Sequence, residues 1–196
     1  MNPIELLQQQ AMQLQAEPVL AYIRDNYTSW KQFPILEWIL DHVEDDTFVL
    51  RLYQGLEEMG QPLYEDPSGR TFLYDQPLGR AIDLHRSTAI QIITRTALHW
   101  SKPNLINGPH AIIMACMLKE MSIVDAYLEV CGPDFIHDPK ILFVILYKDY
   151  VELMERCLHL GADPHMRLED GRTLPEAATS PRMRQLLADP PTPIRY

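Results

Sequence analysis

The chain has 196 residues, of which 46% are hydrophobic and 22% charged, with a formal net charge of −10; this is the balance of one ordinary globular domain and excludes wholesale disorder. Its longest apolar runs, 111–118 and 141–147, fall far short of the ~20 residues that cross a bilayer as a helix, so no membrane role is expected. Nine acidic residues face a single basic one, Arg51, between positions 37 and 66, and no basic stripe interleaves with aromatic residues anywhere, which argues against nucleic acid.

In chain order, residues 1–30 carry two loose apolar stripes, Ile4, Leu6, Leu7, Met12 and Leu14, then Val19, Leu20, Tyr22 and Ile23. They predict a helical capping segment. Helices are expected over 33–42 and 47–59, with Gly60 as a stop and Asp66-Pro67-Ser68-Gly69-Arg70-Thr71 as a turn; residues 72–76 lengthen the connection after that turn. Pro77-Leu78-Gly79-Arg80-Ala81-Ile82 opens the next helix, and Ile90, Ile92, Ile93 and Leu98 supply the buried side of its partner. Residues 109–115 open another helix, with Ile123, Val124, Tyr127 and Leu128 as the stripe of the one after it and Cys131-Gly132-Pro133-Asp134 as its close.

The clearest unit is 140–164: an apolar segment at 141–147, a break at Lys148-Asp149, a second segment at 150–160, then Gly161-Ala162-Asp163-Pro164. Gly161 suits the left-handed position after a helix end, and Pro164 cannot continue a helix. The run 141–146 is also short and rich in β-branched residues, but helix is favoured because the segment recurs in register and no partner strands are offered. Asp170-Gly171 then gives a tight reversal, and the hydroxyl of Thr173 can cap the next helix. Ser180 and Pro181 are an N-cap and a first helical position for a short helix to 188, and prolines 190, 191 and 193 end the fold.

Asp170-Gly171-Arg172-Thr173-Leu174-Pro175-Glu176-Ala177-Ala178, preceded by Gly161-Ala162-Asp163-Pro164, resembles the junction between ankyrin repeats, with Leu174 and Pro175 where that family has Pro then Leu. The resemblance implies an all-α, ankyrin-like solenoid of stacked helix-turn-helix repeats. Taking Ala178 as the small first-helix position puts its equivalents at Ile145, Ala115 and Ala81, spaced near the family's period of about 33. The array would occupy 31–188, with repeats at about 33–69, 70–106, 107–138, 139–170 and 171–188, and 189–196 as a proline-rich tail.

In such arrays the first helices and the hairpin fingertips line a partner-binding groove. The resemblance carries that role to Arg80, Asp83 and Leu84, to Met114, Met117 and Leu118, and to Val144, Tyr147 and Lys148. The fingertip positions are Glu65, Ser68 and Arg70, then Arg167, Glu169 and Arg172. Adaptable methionines beside aromatic residues suit a docking surface.

Catalytic signatures are missing from the sequence: no nucleophile elbow, phosphate loop, dinucleotide fingerprint or H-E-x-x-H occurs. Cys116, Cys131 and Cys157 form an odd set without a C-x-x-C pair, pointing to a reducing compartment and to neither disulfide nor zinc. The expectation is a cytoplasmic or nuclear, non-enzymatic adaptor that binds a protein and needs no cofactor or metal, with monomer and homodimer both open. The alternatives are a small-molecule site framed by the helices, using His85, Asp83 or His110, and a self-associating structural protein.

Overall fold

The structure, a computed structural model, describes residues 2–26, 34–59, 75–100 and 108–193. Among the described residues it is all-α: helices α1 (Pro3–Met12), α2 (Ala16–Asn26), α3 (Ile35–His42), α4 (Asp46–Glu58), α5 (Asp75–Asp83), α6 (Ser87–Trp100), α7 (Gly108–Leu118), α8 (Met121–Cys131), α9 (Pro139–Tyr147), α10 (Val151–His159), α11 (Leu174–Ala177) and α12 (Pro181–Ala188). They fall into two compact units, Met1–Leu105 and Ile106–Tyr196. In the first, α1 packs on α2 and α5 on α6, while α1, α3 and α5 succeed one another on one side and α2, α4 and α6 on the other. In the second, α7 packs on α8, α9 on α10 and α11 on α12; α7, α9 and α11 succeed one another, and α12 lies on α10.

The segment 141–147 is helical, and its helix begins where Asp138 accepts the Lys140 N–H at 2.8 Å. All four register residues are buried, Ala81, Ala115 and Ile145 fully and Ala178 nearly so.

The turns between paired helices repeat at the level of the backbone. Leu14, His85, Lys119 and Asp149 each have a left-handed φ, between 49° and 56°. The residue after each donates its N–H five residues back: Gln15 to the Gln10 carbonyl, Arg86 to Ala81, Glu120 to Ala115 and Tyr150 to Ile145, at 3.0 to 3.1 Å. This closure satisfies carbonyls that a helix end would otherwise leave open. In three of the four turns the acceptor is the register residue itself.

The α3–α4 connection is built differently. Val43 is extended, and Asp45 caps α4 by accepting the Thr47 N–H at 2.8 Å and the Phe48 N–H at 3.2 Å. The guanidinium of Arg86 reaches over from the start of α6, donating to the Leu40 carbonyl at 2.9 Å and the Val43 carbonyl at 2.8 Å and pairing with Asp46.

Several expectations needed adjustment. Asp75 and Gln76 belong to α5 and do not lengthen a loop, while Leu6 and Met12 are exposed and leave Leu7 and Ala11 as the buried face of α1. After Gly132, whose φ is 75°, residues Asp134–His137 form a 3-10 turn that buries Phe135 and Ile136, with Phe135 edge-on to Tyr127 at 5.6 Å between ring centroids. Gly60 and the 66–71 turn lie outside the described residues.

Replacing Arg86 by Met removes the donors to Leu40 and Val43 and should lower the stability of the first unit by about 2 kcal/mol, the cost of leaving polar groups unsatisfied; chemical denaturation followed by circular dichroism measures it, and Arg86→Lys, with one donor group for three acceptors, should restore only part. Because a side chain in left-handed backbone costs on the order of 1 kcal/mol, His85→Gly should raise stability by a similar amount and His85→Val should lower it in the same assay.

Candidate interaction surface

Helix α9 is apolar on every side from Ile141 to Tyr147. A helix can turn only part of its circumference inward, so Ile141, Leu142, Ile145 and Leu146 are buried while Phe143, Val144 and Tyr147 occupy the other face. Tyr147 is 73% exposed and Phe143 41%, their rings 6.1 Å apart between centroids at 26°. Helix α7 divides in the same way. Ala111, Ile112, Ala115 and Cys116 are buried, and Met117 and Leu118 are 58% and 47% exposed. Since α7 packs on α9, four large apolar side chains stand open on two adjoining helices.

Lys148 lies at the edge of this surface with its Nζ 5.6 Å from the centre of the Tyr147 ring, a cation over an aromatic face. Burial pushes the Cys116 thiol up to about 12, and the Lys148 charge acts against that rise. Cys157 is raised to about 12 as well, first by its own burial and then by Cys116.

Met114 and Val144 are half-buried, a correction to their expected place in the open centre, because they flank the inward faces of their helices. Phe143 was not anticipated. Its signal is its spacing, four residues before Tyr147 and hence on the same helical face. No family model, curated protein or solved structure matches the chain.

The other expected positions divide between the two units. Arg80, Asp83 and Leu84 belong to the first, where Asp83 and Leu84 are exposed and Arg80 donates from Nε to Asp41 Oδ1 at 2.6 Å. That contact raises the guanidinium above its ordinary range and ties Arg80 to α3.

In the second unit, Arg167 and Thr173 form an isolated antiparallel bridge, with Gly171 at a φ of 84° in the reversal between them. Both exposed arginines of this finger are turned back onto it. Arg167 donates to the Gly171 carbonyl at 2.9 Å, and Arg172 holds Asp170 through two bonds of 2.6 and 2.8 Å, which keep that carboxyl below its usual range. Arg172, expected to contact a partner, is exposed and makes this contact within the finger. Glu169 lies 3.4 Å from Lys140. Arg70, Glu65 and Ser68 lie outside the described residues.

His85 and Asp83 are exposed on the surface of the first unit, and the side chain of His110 lies outside the described ones. Among the described residues no group of three or more His, Cys, Asp and Glu is placed to hold a metal ion, and no helix is long and apolar enough to cross a membrane.

Thiol reactivity checks the packing beneath this surface. Iodoacetamide should modify Cys131, which is exposed, while Cys116 and Cys157 stay unmodified until denaturant is added, because a buried protonated thiol is neither reachable nor nucleophilic. Peptide mass mapping of the native and unfolded protein reads the result; early labelling of Cys116 would mean that α7 is not packed as described.

Proposed function

We propose that this chain is a non-enzymatic protein-interaction module, an ankyrin-like array of helical hairpins that docks a protein partner on the open faces of its first helices. Support for the array comes from the left-handed hairpin turns, which recur at His85, Lys119 and Asp149 with the same N–H to carbonyl closure. The succession α7, α9, α11 in the second unit and α1, α3, α5 in the first is what stacked hairpins require. The finger at Arg167–Thr173, with Thr173 as the N-cap of α11 and its N–H held by Glu176 Oε2 at 2.7 Å, adds to the likeness.

The observation that carries the docking role is the surface of Met117, Leu118, Phe143 and Tyr147. Four large apolar side chains are exposed on two helices that pack together, and apolar surface gathered in this way favours interaction sites. Aromatic and methionine side chains are those that interfaces favour. Three free cysteines, two of them buried, suit the reducing conditions of cytoplasm or nucleus.

The double change Met117→Asp with Tyr147→Asp tests the reading, since both side chains are exposed and the fold should survive. Cross-linked complexes are recovered from a lysate of the source organism with the wild type and the variant, matched for helical spectrum and thiol protection. Partners held by the wild type and reduced at least tenfold by the variant are expected. Equal recovery by both would remove the surface from the function.

A further inference from the structure

Three of the four residues that follow Asp189 are proline: Pro190, Pro191, Thr192 and Pro193 run on from α12 with neither helix nor strand. The start of this run is anchored. Helix α12 buries Met183 and Leu187 and packs on α10, and the Asp189 N–H closes it on the Gln185 carbonyl at 3.1 Å. A single proline past that cap is enough to end a helix. Pro191 and Pro193 do more, because they restrict the conformation of the whole run.

Each proline ring holds its own φ at about −65°, and a residue standing before a proline is pushed into extended backbone. Pro190 and Thr192 both stand before one. The run is therefore biased toward polyproline II, a left-handed helix of three residues per turn without internal hydrogen bonds. Strand pairing is closed to it, since Thr192 alone of the four has a backbone N–H. No backbone hydrogen bond joins these four residues to the other described residues. Pro190, Thr192 and Pro193 are exposed and Pro191 is half-buried.

Pro190 and Pro193 stand one polyproline turn apart, which puts both rings on one edge of such a helix, about 9 Å from each other. That spacing is the one aromatic-lined grooves read, and a segment already extended loses little entropy on entering one. Charge does not choose the occupant, because Asp189 precedes the run and Arg195, outside the described residues, follows it in the sequence. We propose that residues 190–193 are a second docking site of this chain, taken up by an aromatic-lined, polyproline-binding groove of the SH3, WW or EVH1 kind on a partner protein. This site is separate in sequence and in chemistry from the open face of α7 and α9, and it does not depend on that face binding anything.

Immobilised sets of purified SH3, WW and EVH1 domains, probed with the full chain carrying a dye on the exposed Cys131, test this. Three forms are compared: the wild type, Pro190→Ala with Pro193→Ala, and Met117→Asp with Tyr147→Asp. Both prolines lie past the last buried residue of α12, so the proline variant should keep the helical spectrum and the protection of Cys116 and Cys157. At least one domain of the sets should hold the wild type. Titration of that domain, followed by fluorescence anisotropy, should show binding at least tenfold weaker to the proline variant and unchanged to the Met117/Tyr147 variant.

If no domain of the three sets holds the wild type, or if the proline variant binds as tightly, the polyproline site is overturned and the α7–α9 surface is untouched. Loss of binding in the Met117/Tyr147 variant alone would also overturn it, by placing the contact on the α7–α9 surface. Full binding by the Met117/Tyr147 variant together with loss in the proline variant establishes a site independent of that surface.

Discussion

Each of four hairpins turns on one backbone bond that closes the end of its first helix across a left-handed residue. The acceptors at Ala81, Ala115 and Ile145 are buried residues of the helix they terminate, so the bond that stops the helix is made on a side of it shielded from water. A carbonyl left unpaired there would cost more than the ~1 kcal/mol of holding a His, Lys or Asp at positive φ. The strain is therefore tolerated at His85, Lys119 and Asp149 without glycine. Where the bond is missing, between α3 and α4, a charged group takes over. Arg86 satisfies the Leu40 and Val43 carbonyls from the next hairpin, so that junction depends on one long side chain instead of on backbone geometry alone.

This explains part of the acidic excess between 37 and 66. Asp45 is an N-cap held below its usual range by the N–H groups of Phe48 and Thr47, Asp46 pairs with Arg86, and Asp41 pairs with Arg80. Glu37 departs the other way, its carboxyl raised chiefly by burial. The carboxylates in this stretch are thus heterogeneous. Some hold connections between hairpins, and the charge they leave uncompensated is smaller than a count of residues implies.

Glycine, proline and small-residue signals made the second unit the more legible half. Gly161, at a φ of 101°, ends α10, Gly171 turns the finger, Pro181 opens α12, and the spacing of Ala115, Ile145 and Ala178 located buried residues. The left-handed turns were not legible, since no glycine marks them and the non-glycine residues there differ at every turn. The 3-10 turn at Asp134–His137 was missed because Gly132-Pro133 signals only a stop, while the burial of Phe135 and Ile136 is decided by what packs against them. Of the expected surface positions, Met117, Leu118 and Tyr147 are open as anticipated, and Met114 and Val144 are not. A helix that is apolar all round shows no polar face from which to count, so an error of about 100° in rotation is invisible in its sequence.

The same all-round apolarity makes the open face informative. In α10, Glu152, Glu155 and Arg156 cover the side that the buried Val151, Leu153, Met154, Cys157 and Leu158 leave outward, which is the ordinary solution for a helix on a surface. Helix α9 has the same length and packs against α10, yet carries Phe143 and Tyr147 in the corresponding place. Burying an aromatic or leucine side chain is worth roughly 1.5–3 kcal/mol, and each such side chain left in water is that much unrealised contact. The difference between α9 and α10 cannot come from packing inside the hairpin, because each helix already turns a complete apolar stripe inward. Phe143 and Tyr147 therefore lie outside the packing that holds the hairpin together, and the outer faces of α9 and α10 differ in kind.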